Sequence, residues 1–329
     1  MRNLIRLPIL LLVIAAWRED VNAKPKLPAP KISRIEYKAA SDALDLRWQS
    51  TSNGKFEIVI SGAEQGVIFS KRSKSRRLTI QPDVFSEGQS YSVRIRALAV
   101  GGFAASKARS KSFTFSTRVK TAQLEARLKT ENSTGRSGSY FLPKNYRLKS
   151  LPLMVVLHGS SIEGETILKI FKMHAKAGQF FILAPDSVNE WGWEISTDTP
   201  TEDQLHIGRS LQEFLELPHL SINTDKVMIA GVSAGGTVAS FIGSRNELFT
   251  HIAVLHGGAG LSFIGDHRAP FWLSTGTQDT LRPPGEVSGY TEPLKVLGFS
   301  PVSYSEFAGG HEVPEAERSA LIEWWLGSE

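Results

Sequence analysis

There is no cysteine anywhere in the 329-residue chain. That absence excludes disulfides, a thiolate nucleophile, thiolate metal sites and a lipid anchor on cysteine. It does not exclude an oxidising compartment, because a chain of this length can build its core without covalent staples. Long apolar runs are missing as well. The run Leu7–Ala16 spans ten residues, whereas a membrane-crossing helix needs about 20. Arg2 and Arg6 precede that run, and Val21, Asn22 and Ala23 follow it. Residues 1–23 therefore read as an export signal cleaved after Ala23, with an uncleaved anchor as the alternative. The expected location is secreted or periplasmic, with no stable membrane span. The chain also lacks a phosphate-loop pattern, paired histidines at ligand spacing, internal repeats and low-complexity tracts. No nucleotide, metal or redox cofactor is expected, and no nucleic-acid partner. With 41% hydrophobic and 22% charged residues, disorder is not the default.

Charge is divided unevenly. Residues 24–120 carry 19 Lys+Arg against 7 Asp+Glu, and residues 121–329 carry 16 against 24. A basic module thus precedes an acidic one, with a boundary near residue 120. Five cations fall in the run 71–77, KRSKSRR, which is expected to lie between two strands. Such a field attracts anionic polymers of an envelope or matrix. It could equally keep the module soluble, or dock it on the acidic half of the chain.

Residues 24–31, rich in Pro and Lys, read as an extended linker. Beyond them the hydrophobic period is two. Leu44, Leu46 and Trp48 share one strand face, and Phe56, Ile58 and Ile60 share another. Leu78 and Ile80, then Tyr91, Val93, Ile95 and Ala97, then Phe113 and Phe115 repeat the pattern. Turn signals such as Asn53-Gly54 and Gly101-Gly102 separate these runs. The pattern predicts an all-β antiparallel sandwich over 32–117. Trp48 at a strand end and the stretch SEGQSYSVRIRALAVGG make residues 28–117 resemble a fibronectin type III domain. Trp48 and Tyr91 are then core residues, not catalytic ones.

After residue 120 the texture changes. LEARLKT and GSYFLP suggest two antiparallel strands. LPLMVVLHG, FFILAP, KVMIAG, HIAVLHGG and PFWLSTG are short continuous apolar runs, as expected of strands buried on both faces. Ile167, Ile170, Phe171 and Ala175 recur at helical spacing, as do Ile207, Leu211, Phe214 and Leu215. A last helix is expected over 314–326, where Trp324 and Trp325 read as packing residues. Strand–helix alternation predicts an α/β domain over 121–329, a mostly parallel sheet with helices on both faces.

The sharpest chemical signal is KVMIAGVSAGG. A strand ends at Ala230, and Gly231-Val232-Ser233-Ala234-Gly235 fits G-x-S-x-G before a helix of small residues. A serine on that turn is exposed above the sheet, with glycines where side chains would clash. The hydroxyl needs a base, and the base needs an orienting carboxylate. In this chain order the carboxylate precedes the base. His311 follows the strand VSYSEF in a Gly-Gly turn before the last helix, and it is the favoured base. His256, closing the strand HIAVL, is the runner-up. His251 lies at the wrong strand end, and His267 lies in a polar loop. Asp279, in the loop behind PFWLSTG, is the favoured carboxylate, with Asp266 and Glu286 as alternatives. Backbone N–H groups of Ala234 and of Ser160, in the loop after VVLHG, are expected to form the oxyanion hole. His158 reads as a supporting residue. Trp191 and Trp193 could line a substrate cleft or simply pack their loop. Asn132-Ser133-Thr134 matches a glycosylation acceptor.

Residues 121–329 resemble serine esterases of the α/β-hydrolase superfamily, most of all the polyhydroxybutyrate depolymerase and feruloyl esterase-like group. YFLPKNY, LPLMVVLHG, NTDKVMIAGVSAGG, TGTQDTLRPP and GGHEVP carry the resemblance and fall in family order. The resemblance implies a Ser233–Asp279–His311 triad, an oxyanion hole at Ser160 and Ala234, an ester substrate and no cofactor. Many secreted members have a cysteine just after LHG, where this chain has Ser160. Two other readings remain open: a serine peptidase of the oligopeptidase kind, and a catalytically silent binding or adhesion protein on the same fold.

Overall fold

The computed structural model describes residues 24–327. The segment read as an export signal lies outside the described residues. The chain forms two compact units that divide between Thr117 and Arg118.

The strands of the first unit all pair antiparallel. Its strands are β1 (Lys31–Lys38), β2 (Ala43–Gln49), β3 (Phe56–Gly62), β4 (Gly66–Ser73), β5 (Arg77–Ile80), β6 (Ser90–Ala97) and β7 (Arg109–Thr114). They form a three-stranded sheet, β1-β2-β5, and a four-stranded sheet, β4-β3-β6-β7. Every second residue of β3 and β6 is buried, which is what a sheet with one solvated face requires. Trp48 of β2 lies edge-on to Phe56 of β3, with ring centroids 5.6 Å apart. Tyr91 packs on Phe85 and its hydroxyl accepts from Ser86 N–H at 2.8 Å. The basic run lies differently from the expectation. Lys71, Arg72 and Ser73 belong to β4 itself, and Arg77 opens β5. An exposed edge strand tolerates charge at every position, so the alternation that signals a strand is missing there. Residues 25–27 bond the backbone of Ala104.

The second unit is an eight-stranded sheet of order β15-β14-β13-β12-β10-β11-β9-β8. Its elements are β8 (Leu124–Arg127), β9 (Gly138–Leu142), β10 (Leu151–Leu157), α1 (Gly164–Gly178), β11 (Phe181–Pro185), α2 (Glu202–Leu215), β12 (Ile222–Val232), α3 (Ala234–Gly243), β13 (His251–Leu255), β14 (Phe271–Gly276), α4 (Pro284–Ser288), α5 (Thr291–Val296), β15 (Val302–Phe307) and α6 (Glu315–Gly327). Only β8 and β9 run antiparallel to their neighbours. The inner parallel strands, β10 to β14, are buried on both faces. Leu153, Val155, Val227 and Ile229 face a core shared with Ile207, Leu211 and Phe214 of α2 and Val238 of α3. Met154, Val156, Met228 and Ala230 face the opposite core, against Ile167 and Phe171 of α1 and Leu321 and Trp325 of α6. Helices on both faces leave the C-terminal ends of the strands as the open edge, where ligands bind in such sheets. Among the described residues no helix is long and apolar enough to cross a membrane.

Candidate active site

Ser233 sits between β12 and α3 with φ 54° and ψ −119°. That conformation is strained for a non-glycine residue, a cost of about 1–3 kcal/mol. Neighbouring backbone holds it: Ser233 N–H donates to Leu255 O at 2.9 Å, and Ser233 O accepts from Gly236 N–H at 3.0 Å. The flanking glycines are steric requirements. A Cβ on Gly231 would lie 2.1 Å from Gly235 O, and one on Gly235 would lie 2.4 Å from Leu157 O and His158 O.

His311, in the loop between β15 and α6, places Nε2 2.9 Å from Ser233 Oγ and Nδ1 2.8 Å from Asp279 Oδ2. Asp279 is buried in the loop after β14. Its Oδ1 accepts from the N–H groups of Leu281 and Arg282, both at 2.9 Å. Burial works to raise the Asp279 pKa, but the Arg282 N–H and the two imidazoles on Oδ2 overturn it and hold the carboxyl well below its usual range. An ionised carboxylate can only accept, so His311 Nδ1 is the donor and Nε2 presents a lone pair to the Ser233 hydroxyl.

The second imidazole on Oδ2 is His256, at 2.8 Å through Nδ1. Its Nε2 lies 3.0 Å from Glu317 Oε2, so both ring nitrogens face carboxylates and neither faces Ser233. The runner-up base is thereby placed behind the carboxylate. Asp266 is exposed and pairs loosely with Arg268, and Glu286 pairs with Arg282. His267 Nε2 bonds Phe249 O, and His251 is buried against the Trp324 ring. His256, Asp279 and His311 also form a trio whose potential ligand atoms lie within 4.8 Å of one another. Their two Nδ1 atoms converge on one Asp279 oxygen, the geometry of two N–H donors on a shared acceptor.

Ala234 opens α3, so its N–H is among those that helix geometry leaves without an intrahelical acceptor. Ser160 is exposed in the loop after β10, one residue beyond Gly159. A Cβ on Gly159 would touch Ser233 Cβ at 3.4 Å. His158 is fully buried. Its Nε2 accepts from Ser187 N–H at 3.0 Å, so Nδ1 is the donor to Gly159 O at 2.7 Å. Burial pushes its pKa below the usual histidine value, and the neutral ring braces the loop. Trp193 joins that brace, its indole N–H donating to His158 O at 2.8 Å. Trp191 is 68% exposed.

Glu317 and Ser274 were not read from the sequence as site residues. Glu317 was legible in principle. With Leu321 and Trp325 it occupies one helical face at intervals of four, a charge on an apolar stripe.

No protein-family model matches the chain, and no curated protein is similar to it. Solved structures do resemble it. FphF of Staphylococcus aureus, a fluorophosphonate-binding serine hydrolase in a substrate-bound structure, aligns with a TM-score of 0.52 at 15% identity, over 63% of this chain and all of that one. S-formylglutathione hydrolase (FrmB) of Staphylococcus aureus aligns at 0.49 and 15%, over 62% and 98%. A ferulic acid esterase aligns at 0.48 and 16%, over 62% and 96%. The fold is that of the α/β hydrolases.

Proposed function

We propose that the protein is an exported serine hydrolase that cleaves carboxylic esters through an acyl-enzyme. The observation that carries this is the hydrogen-bonded line Ser233 Oγ–His311–Asp279, at 2.9 and 2.8 Å. As Oγ attacks the ester carbonyl, His311 Nε2 takes its proton. The oxyanion then falls between the N–H groups of Ala234 and Ser160; each such donor contributes about 10²–10³-fold in rate. Collapse breaks the C–O bond to the alcohol, which leaves with the proton from His311. Water repeats the attack on the acyl-Ser233, with His311 again as base, and releases the carboxylic acid. Asp279 keeps His311 in the right tautomer and stabilises the imidazolium without taking the proton. No step calls for a metal. Trp191, exposed in the loop whose Glu190 carbonyl accepts from Ser161 N–H, is assigned to an acyl or alcohol group, and Trp193 holds the Ser160 loop.

The N-terminal unit is a fibronectin type III-like sandwich in this reading. Its three- and four-stranded sheets, the Trp48–Phe56 contact and the Tyr91 hydroxyl on Ser86 support it. Its exposed cations bind an anionic envelope or matrix polymer.

The test is covalent labelling with a fluorophosphonate, together with turnover of an aryl acetate and a peptide anilide. Ester turnover, labelling at Ser233 and loss of both in Ser233→Ala are expected, with a fall of order 10³-fold or more. Activity within about tenfold of the parent in that variant would remove Ser233 from the mechanism. Faster anilide cleavage would make the protein a peptidase.

A further inference from the structure

Behind the proposed triad lies a second chain of polar side chains, all inside the sheet–helix interface. Ser274 of β14 and Glu317 of α6 are fully buried, as is His256 at the end of β13. Ser274 Oγ donates to Glu317 Oε1 at 2.5 Å. Glu317 Oε2 faces His256 Nε2 at 3.0 Å, and His256 Nδ1 faces Asp279 Oδ2 at 2.8 Å. The line from Ser274 to Ser233 is therefore continuous through Asp279, where two imidazoles meet at a single oxygen. Their rings stand 5.5 Å apart and nearly perpendicular, at 79°.

Burying a carboxylate at this depth is costly unless it is paired and hydrogen-bonded. Nothing in packing alone calls for Glu317 on a helix face shared with Leu321 and Trp325. His256 is equally deliberate. It takes φ 52°, a positive value uncommon in non-glycine residues, at the strand end that aims its ring at Asp279. Both ring nitrogens face carboxyl oxygens; with both carboxylates ionised, and so accepting only, both nitrogens donate.

We propose that His256 and Glu317 are positioning residues: Glu317 holds His256 as an imidazolium, which fixes the Asp279 carboxylate on His311 and offsets part of its negative charge. The inference rests on the serine-hydrolase reading above. Burial works against a charged His256, but the Glu317 and Asp279 carboxylates outweigh it and set its pKa above the ordinary histidine value. The titratable groups facing His256 are Asp279 from the loop after β14, Glu317 from α6 and His311 from the loop after β15.

The consequence is a pH effect with a definite sign. The positive His256 beside Asp279 disfavours protonation of His311, the form that cannot act as base. Removing that charge leaves Asp279 acting undiluted, so protonated His311 gains and the acid limb of activity moves to higher pH. Two variants separate charge from geometry. In Glu317→Gln the amide donates to His256 Nε2, leaving a neutral ring that still bonds Asp279. In His256→Asn the side-chain amide stands where Nδ1 stood, and asparagine tolerates the left-handed backbone.

The experiment measures kcat and KM for an aryl acetate against pH in both variants. Fluorophosphonate labelling counts intact sites, and low-field proton NMR counts imidazole N–H groups. In both variants the acid limb of kcat/KM is expected to rise by about half to one pH unit, with KM within about twofold. A merely structural role would lower the amount of labelled protein and leave the limb in place. Wild-type protein at about pH 7 should show two N–H resonances for His256, and Glu317→Gln should show one. An acid limb within about 0.2 units of wild type in variants that label fully overturns the proposal. A single His256 N–H resonance in wild type overturns it whether or not the variants fold. If wild type neither labels nor turns over ester but shows both resonances, the hydrolase reading fails and the charged pair stands.

Discussion

A single oxygen, Asp279 Oδ2, joins two histidines, His311 on the Ser233 side and His256 on the Glu317 side, and that arrangement decides what substitution at Asp279 does. Asp279→Asn can donate from its amide and so stabilise the wrong tautomer of His311. A kcat loss of about 10³–10⁴-fold is expected, with KM little changed; steady-state kinetics of the ester substrate checks it. Ser233, Asp279 and His311 were all legible in the sequence, because a strand–turn–helix motif and a fixed chain order constrain them. The contact of His256 with Glu317 was not, because nothing local places it opposite a residue 61 positions later. His251 gives a different test. Burial, with Lys226 nearby, pushes its pKa down from 6.5 to about 4. Between those values the unfolded chain binds the proton and the folded protein does not, so stability falls as pH drops through that window. The full penalty, about 3 kcal/mol as an order of magnitude, is reached below about pH 4. His256 contributes with the opposite sign, its raised pKa adding stability that is lost as pH rises. Urea melts at about pH 7 and pH 4.5 should therefore show a smaller acid loss in His251→Gln than in the parent.

At the scale of elements, legibility followed burial. Continuous apolar runs marked β10, β11, β12, β13 and β14 because both faces of those strands are covered. Strands β1 and β4 carry little of that pattern, since half or more of their residues are exposed, and no reading of periodicity could place them. Helices α1 and α2 were visible from their apolar stripes. The start of α2 is reinforced by a capping box, in which Thr201 Oγ1 accepts from Gln204 N–H and the Gln204 side chain accepts from Thr201 N–H. Helix glycines show how the same residue serves opposite ends. Gly235 in α3 is pressed against the carbonyls of Leu157 and His158, atoms that cannot move without displacing the loop holding Ser160. Gly208 in α2 has open space where its Cβ would be. Gly235→Ala should cost about 1–3 kcal/mol and reduce activity. Gly208→Ala should stabilise by about 0.5–1 kcal/mol with activity unchanged. Denaturant midpoints of the two variants measure both effects, and opposite signs are the expected result.

For the whole molecule the dominant feature is the opposite charge of the two halves. An excess of cations on residues 24–120 is not something two antiparallel sheets need, because their solvated faces can be neutral. Some of the cations have internal duties. Arg47 and Arg77 both pair with the buried Asp45, and Arg96 pairs with Glu57. Lys71, Arg72 and Lys74 are exposed around the β4–β5 turn, and no ion pair is found for them among the described residues. A field of this kind acts over about 8–10 Å at physiological salt and is screened beyond that. Retention of the intact protein on an anionic polysaccharide bead should therefore be strong at about 0.05 M salt and weak by about 0.3 M. The triple variant Lys71→Gln, Arg72→Gln, Lys74→Gln removes charge without uncovering a buried carboxylate. It should elute at distinctly lower salt while hydrolysing a small soluble ester at the parent's rate, because such a substrate needs no polymer contact. Equal retention of parent and variant at low salt would show that these cations do not hold the polymer. A variant that loses ester turnover as well would show that the turn has a role beyond charge.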